Sequence, residues 1–195
     1  MHWGKGQIFE IERPGQKGQC MKLETALPLA QSIIVKMEDD PVFDRAVIAG
    51  SIRRGEPHVK DIEILCHTKC TIQENIFDNQ MEYYPETEKI MWLEYLGADG
   101  MIKGGKRFKQ FMMPEGIKLD LFIVFPPSQW GVQFVIRTGP AEFSKKVVTS
   151  SILGGYLLPG YKVTGGHLET NNGLEIIPTP SEKAFFRYLT IDYLP

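Results

Sequence analysis

Two acidic side chains alternate with apolar ones in the segment Asp61-Ile62-Glu63-Ile64-Leu65. In a strand, the period of two places Asp61 and Glu63 on one face and the two isoleucines on the other. Like charges held at that spacing repel each other, and a divalent cation that prefers oxygen ligands, such as Mg²⁺, would neutralise them. The segment therefore predicts a metal site.

A phosphate-binding turn is predicted just before these acids. Gly50-Ser51 directly follows the apolar run Ala46-Val47-Ile48-Ala49, so free backbone N–H groups and a hydroxyl can face an anion. Arg53 and Arg54 add positive charge. A phosphate cradle followed by metal-binding acids is the layout that a nucleoside triphosphate with its Mg²⁺ requires. Taken singly, the same residues also suit a surface turn and the solvent side of an edge strand.

A third acid lies in the apolar segment Lys118-Leu119-Asp120-Leu121-Phe122-Ile123. Alternation places Leu119 and Leu121 on one face and Asp120 on the other. A carboxylate in so apolar a strand needs either solvent or a charged partner. We interpret Asp120 as a third metal ligand, with Lys118 beside it.

The elements that must position these residues follow from periodicity and from turn residues. A helix is predicted over 22–38 and strands over 43–49 and 61–66, while 71–96 is assigned one or two helices. After Pro126-Pro127, the clearest break in the chain, the pattern predicts a strand over 130–136, helical structure over 143–153, and a helix that begins after the N-cap Ser181. The basic run 103–109 fits a solvated hairpin and a phosphate contact equally well.

Composition limits the class of protein. The chain has 195 residues, 43% of them hydrophobic, and a formal net charge of −2, which suits a globular protein without a generally positive surface. Its apolar runs are shorter than the roughly 18 residues that span a bilayer, and three cysteines do not form a disulfide framework. The motif Cys66-His67-x-x-Cys70 lacks the second ligand pair of a structural zinc site. We therefore expect a cytoplasmic protein that does not bind membranes.

The Gly-Ser, a basic residue and an Asp-x-Glu strand together resemble the signature of the polymerase-beta-like nucleotidyltransferases. The segment after Pro127 is similar to the thumb of the family X DNA polymerases, through the Thr138-Gly139 turn, a helix, the hairpin 160–168 and the Ser181-Glu182-Lys183 helix. The resemblance covers about residues 22–195. It implies an α+β fold with a palm over 21–126, in which helices lie on one side of a mixed sheet. A small α/β thumb over 127–195 would follow, and residues 1–20 would form an extension of unknown role.

The resemblance also implies roles for individual residues. Asp61, Glu63 and Asp120 would be the catalytic acids and bind two Mg²⁺ ions, with Mn²⁺ as an alternative. One ion would lower the pKa of a primer 3′-hydroxyl, and the other would hold the triphosphate and the leaving pyrophosphate. The nucleotide-binding residues would be Gly50, Ser51, Arg54, Lys60, Thr138 and Gly139. The candidate DNA contacts are Lys103, Lys106, Arg107 and Lys109 from the basic run, Lys118 as the basic neighbour of the third acid, and Lys145.

The chain also departs from the family pattern. Glu63 replaces the usual Asp, Lys60 replaces a Gly, and Ile136-Arg137 replaces an aromatic pair, which leaves the choice between deoxy- and ribonucleotides open. Ala141 and Val148 replace polar or basic residues, so low fidelity is expected. No lyase domain is expected in the roughly 45 residues before Gly50.

The resulting expectation is a minimal monomeric DNA polymerase that fills short gaps, either cytoplasmic or a viral or phage protein acting in the host cell. Its partners would be gapped or primer-template DNA and nucleoside triphosphates, and it would release pyrophosphate. Two alternatives remain open. The first is a nucleotidyltransferase with a small-molecule, protein or RNA acceptor, and the second is an inactive DNA-binding relative.

Overall fold

The computed structural model describes residues 20–75, 81–86 and 101–193 of the chain, which form helices and strands of the α+β class. The strands are β1 (Met21–Lys22), β2 (Phe43–Ile48), β3 (His58–Val59), β4 (Asp61–Thr68), β5 (Cys70–Glu74), β6 (Met81–Pro85), β7 (Met101–Gly104), β8 (Phe108–Met112), β9 (Lys118–Val124), β10 (Tyr161–Thr164), β11 (His167–Thr170) and β12 (Ile176–Ile177). The helices are α1 (Leu23–Asp39), α2 (Gly50–Arg53), α3 (Trp130–Thr138), α4 (Ala141–Val148) and α5 (Glu182–Phe186), with a 3₁₀ turn at Ser151–Leu153.

A five-stranded sheet with the order β2-β4-β9-β8-β7 forms the centre of the fold. The pair β4 and β9 is parallel, and the other neighbours are antiparallel. The expected mixed sheet is therefore confirmed. Smaller sheets consist of β1 with β3, β5 with β6, and β10 with β11 and β12.

Helix α1 covers one face of this sheet. Its buried side chains, among them Ala30 and Ile33, pack in one cluster with Ile62 and Ile64 of β4 and with Leu121 of β9. All five are at most 2% exposed, so the alternation predicted for both strands is confirmed. The helix predicted over 22–38 is likewise present with nearly the expected bounds.

The opposite face of the sheet is partly covered by α3. Trp130 and Phe134 pack on Leu65 and Phe122, whereas Val132 on another side of the same helix belongs to a second cluster. The strand predicted over 130–136 is therefore wrong, since the segment is helical. A helix that is buried between two apolar clusters carries apolar residues on several sides, and over seven residues this pattern is easily read as a strand.

Three other local predictions also need correction. Residues 71–74 and 81–85, which were assigned helical structure, belong to the antiparallel strands β5 and β6, in which Ile72 pairs with Tyr83; the parts over 76–80 and 87–96 lie outside the described residues. β-branched and aromatic side chains suit such a pair. The helix expected over 143–153 begins at Ala141, ends at Val148 and is followed by the 3₁₀ turn. The expected tight turn after β2 is one turn of helix, α2.

Among the described residues, the buried apolar side chains form three clusters. One draws on residues 26–125 and another on residues 132–189, while the third joins both parts through Ala49, Leu65, Phe122, Val124, Trp130 and Phe134. The division into units 21–126 and 127–195 stays a prediction, because the third cluster crosses it. Within the part of the chain that the structure describes, no helix combines the length and apolarity needed to span a membrane.

Candidate functional site

The three acids are brought together by the register of β4 and β9. In this parallel pair Glu63 lies opposite Asp120, and Asp61 lies opposite Lys118. Because paired residues in neighbouring strands share a face, all three carboxylates lie on the face that α3 covers only in part. Side chains further along the same face, such as Phe122, are buried, whereas the acids are half-buried. The acids therefore lie just beyond the part of the sheet that the apolar side chains of α3 cover.

The carboxylates of this face are poorly neutralised. Burial, followed by the charges of Asp61 and Asp120, raises the pKa of Glu63 from 4.5 to about 7. Burial also raises the pKa values of Asp61 and Asp120, although Lys118 opposes the shift at both, and Gln110 donates a hydrogen bond of 2.7 Å to Asp120 Oδ1. An added cation would relieve the remaining repulsion.

The donor set of this face, three carboxylates, suits Mg²⁺ or Mn²⁺. The side chains do not form a ready-made metal site, because no three His, Cys, Asp or Glu side chains within residues 20–75, 81–86 and 101–193 are grouped closely enough to hold an ion. The Glu63 carboxylate lies against Gly50, where an added Cβ would stand 1.6 Å from Oε2. The three carboxylates are therefore suitable ligands for Mg²⁺ or Mn²⁺, but in this structure they do not surround a single position where such an ion could bind.

The Gly50-Ser51 segment lies directly beside Glu63. Gly50 has a φ of +60°, and both this conformation and the contact with Glu63 exclude a larger residue. The Ala49 N–H donates to the backbone oxygen of Glu63 at 2.8 Å, which fixes the start of α2 next to β4. Ser51 Oγ is buried and has no hydrogen-bond partner among the described residues. An anion or water beside this hydroxyl would satisfy it.

The two arginines of α2 have different roles. Arg53 forms a bidentate ion pair with Glu182 at 2.7 and 2.8 Å, donates to Thr138 Oγ1 at 2.9 Å and stacks on Phe134. Arg54 donates to the backbone oxygen of Thr138 at 2.6 Å. Arg53 is therefore engaged in a tertiary contact that sequence reasoning did not predict, because Glu182 lies 129 positions further along the chain.

These contacts place three of the predicted nucleotide-binding residues together. Arg54, Thr138 and Gly139 line one pocket of about 210 Å³, which Arg53, Phe143 and Glu182 also border. Lys60 is exposed, and its charge lowers the pKa of Asp61, so it lies near the first acid. The pocket and the carboxylates are thus linked through the short segment from Gly50 to Asp61.

Arg137 is a further charged residue at this face. Its Cζ lies 3.9 Å from the centre of the Phe122 ring, and its charge acts on both Glu63 and Asp120. The sequence marked this position only as a departure from an aromatic residue. A signal was nevertheless available, since a single charge in the apolar helix 130–138 needs a partner.

The residues predicted to contact DNA do not form one surface. Lys106 lies over the Tyr84 ring at 4.2 Å, and Arg107 lies over Phe125 at 4.0 Å while donating to its backbone oxygen. Lys109 pairs with Leu121 and therefore projects to the face opposite Asp120, whereas Lys118 lies beside Asp61. The remaining two are Lys103 in β7 and Lys145, which pairs with Glu142 at 3.1 Å on an exposed part of α4. Their role in DNA binding stays a prediction.

The zinc motif also has a structural description. Cys66 is fully buried in the cluster under α1, and burial raises the pKa of its thiol to about 12. Cys70 is directed to the backbone oxygen of Thr68. Cys66 is thus part of the cluster under α1, and Cys70 packs against the same cluster.

No protein-family model matches this sequence, and no curated protein sequence matches it either.

Proposed function

We propose that this chain is a nucleotidyltransferase that adds deoxynucleotides to a DNA 3′-hydroxyl, a small relative of the family X DNA polymerases that fills short gaps. The observation that carries the proposal is the parallel register of β4 and β9, which sets Glu63 opposite Asp120 and Asp61 two pairs away on the same face. Sequence order alone leaves 56 residues between Glu63 and Asp120, and only this pairing puts them side by side. Acids gathered in this way are what a phosphoryl-transfer site needs.

In this proposal the chain divides into a palm over 21–126 and a thumb over 127–195, with its action in the cytoplasm. Asp61, Glu63 and Asp120 would hold two Mg²⁺ ions. When bound, such ions stabilise charge on the attacking and leaving oxygens of a phosphoryl transfer. The donor chemistry and the unmatched negative charge support this assignment.

The residues around the pocket would bind the nucleotide. The unpaired Ser51 hydroxyl and the Arg54 guanidinium would take phosphate oxygens, and exposed Lys60 would add charge near Asp61. By the resemblance to family X polymerases, Thr138 and Gly139 would lie under the sugar. This placement is supported by the contact of Arg54 with the Thr138 backbone oxygen and by the pocket that all three residues border. Arg53 would not contact phosphate, since its guanidinium forms a bidentate ion pair with Glu182.

Gap filling by the purified chain tests the proposal. The protein is incubated with Mg²⁺, each of the four dNTPs in turn and a DNA that carries a one-nucleotide gap. We expect the templated nucleotide to be added, and we expect Asp120→Asn to lower the rate about 100-fold or more, because the variant keeps the side-chain shape but loses a ligand charge. Asp44→Asn is the matched control, since Asp44 lies in an exposed pair with His67 and should not affect the rate.

The outcomes separate this function from its alternatives. Addition without regard to the template would indicate a terminal transferase. If gapped, recessed and single-stranded DNA are all left unchanged, the DNA polymerase proposal fails, and RNA, protein and small-molecule acceptors are tested with labelled nucleotides. Mg²⁺-dependent dNTP binding without transfer to any acceptor would identify an inactive relative.

A further inference from the structure

Arg137 lies at the last turn of α3 and reaches over the carboxylate face of the sheet. Its guanidinium stacks on Phe122, which follows Asp120 by two positions and so shares its face. Asp120 in turn lies opposite Glu63. The stack therefore holds a positive charge next to two acids that come from different strands.

The surroundings of Arg137 leave it few other roles. Its Nε is buried and has no hydrogen-bond acceptor among the described residues. Burial opposes the charge on Arg137, whereas the charges of Glu63 and Asp120 favour it. The charge of Arg137, and after it that of Arg54, opposes the rise in the pKa of Glu63. The carboxylates and this guanidinium therefore neutralise each other in part.

The neighbouring residue fixes Arg137 in this position. Thr138 accepts a hydrogen bond from Arg53 through its hydroxyl and one from Arg54 through its backbone oxygen. The end of α3 is thereby attached to α2, which begins beside Glu63. The backbone of Arg137 is therefore held next to α2, and its guanidinium rests on the Phe122 ring.

We propose that Arg137 is the resident counter-cation of the carboxylate face and competes there with the divalent ion. The inference rests on the proposed function, because it concerns the same acids. A fixed positive charge beside two ligand carboxylates lowers their affinity for a second cation, and the effect is strong in a partly buried site. Arg137 is in this sense a positioning residue that sets the concentration of metal at which the site fills.

Titration with Mn²⁺ tests this inference without the use of catalysis. Binding to the full-length protein is followed from the electron paramagnetic resonance signal of free Mn²⁺ at about pH 7.5. We expect Arg137→Met, which keeps an apolar chain on Phe122 but removes the charge, to bind Mn²⁺ about tenfold more tightly or better than wild type. Arg137→Lys should restore an affinity near that of wild type, because a cation is again present.

A matched control comes from another arginine that stacks on an aromatic ring. The Cζ atom of Arg45 lies 4.0 Å from the centre of the Trp130 ring. In the sheet, Arg45 of β2 pairs with His67 of β4. His67 lies four residues beyond Glu63 on β4, which corresponds to about 13 Å along the strand. Arg45→Met should leave Mn²⁺ affinity unchanged. Adding Glu63→Gln to Arg137→Met should abolish the gain, which assigns the tighter binding to this face.

The inference is overturned if folded Arg137→Met, checked by circular dichroism, binds Mn²⁺ no more tightly than wild type, or if Arg137→Lys behaves like Arg137→Met. Its failure is distinguishable from failure of the proposed function. Gap filling with unchanged Mn²⁺ affinity in Arg137→Met would refute the role of Arg137 alone. Tighter Mn²⁺ binding by that variant, in a protein that transfers no nucleotide, would refute the polymerase proposal alone.

Discussion

The metal-free protein should become more stable at neutral and basic pH when Glu63 is changed to Gln. Glu63 is half-buried opposite Asp120, and its pKa of about 7 results first from burial and then from the charges of Asp61 and Asp120. A folded-state pKa above the unfolded value means that the native state binds the proton more tightly. The stabilising effect of protonation is complete below about pH 4.5 and is lost as the pH rises through about 7.

The expected size of the effect follows from these two values. Each pH unit between the unfolded pKa of 4.5 and the folded pKa of about 7 changes the free energy of unfolding by about 1.4 kcal/mol. The full difference is therefore about 3 kcal/mol, an upper limit because the side chain keeps some contact with solvent. Gln is always neutral and nearly the same size, so Glu63→Gln removes this penalty.

Urea unfolding in the presence of EDTA measures the effect. The free energy of unfolding is determined at about pH 5, 6, 7 and 8 for wild type, Glu63→Gln and the control Glu142→Gln, whose exposed carboxylate pairs with Lys145. Relative to wild type, Glu63→Gln should gain about 2–3 kcal/mol between pH 5 and pH 8, and the control should gain nothing. Parallel pH curves for wild type and Glu63→Gln would refute the electrostatic description of this face.

Two further predictions concern the contacts that hold the site in place. In a double-mutant cycle with Arg53→Met and Glu182→Gln, the coupling energy in urea unfolding should be about 1–2 kcal/mol, because the pair is bidentate and little exposed; additive losses would show that the ion pair contributes nothing. In the same assay, Gly131→Ala should lower the free energy of unfolding by about 2 kcal/mol or more, because the added Cβ would stand 2.2 Å from the Ser181 backbone oxygen. The control is Gly105→Ala, whose added Cβ would lie 3.4 Å from the nearest atom. Equal stability of these two variants would show that α3 and α5 are less closely packed than described.

Some of the fold follows from local sequence because its causes are local. The alternation in β4 assigns Asp61 and Glu63 to one face without knowledge of any neighbour, since successive side chains of a strand always point to opposite sides. Ser181 predicts the start of α5 for a similar reason, and its hydroxyl indeed accepts a hydrogen bond from the Ala184 N–H. In both cases the decisive interaction spans at most four residues.

Other elements could not be predicted because their surroundings decide them. The apolar run from Trp130 to Ile136 suits a strand or a helix, and it is a helix because it lies between two clusters and must bury side chains on both sides. The segment after Cys70 contains polar residues that suit a helix, yet it is a strand that pairs antiparallel with β6. Local propensity is small beside the free energy gained from such contacts.

The candidate site shows the same division. The residue types and the period of two indicated three carboxylates, but the sequence does not contain the register of β4 with β9, because loop lengths between strands leave many pairings open. The sequence also could not show that Arg53 forms an ion pair with Glu182, or that Arg137 stacks on Phe122 beside the acids. Sequence alone determined which chemical groups are present and which face each one takes. Tertiary structure decided which of them meet, since charges that are distant in the chain affect each other only after folding has brought them within a few ångströms.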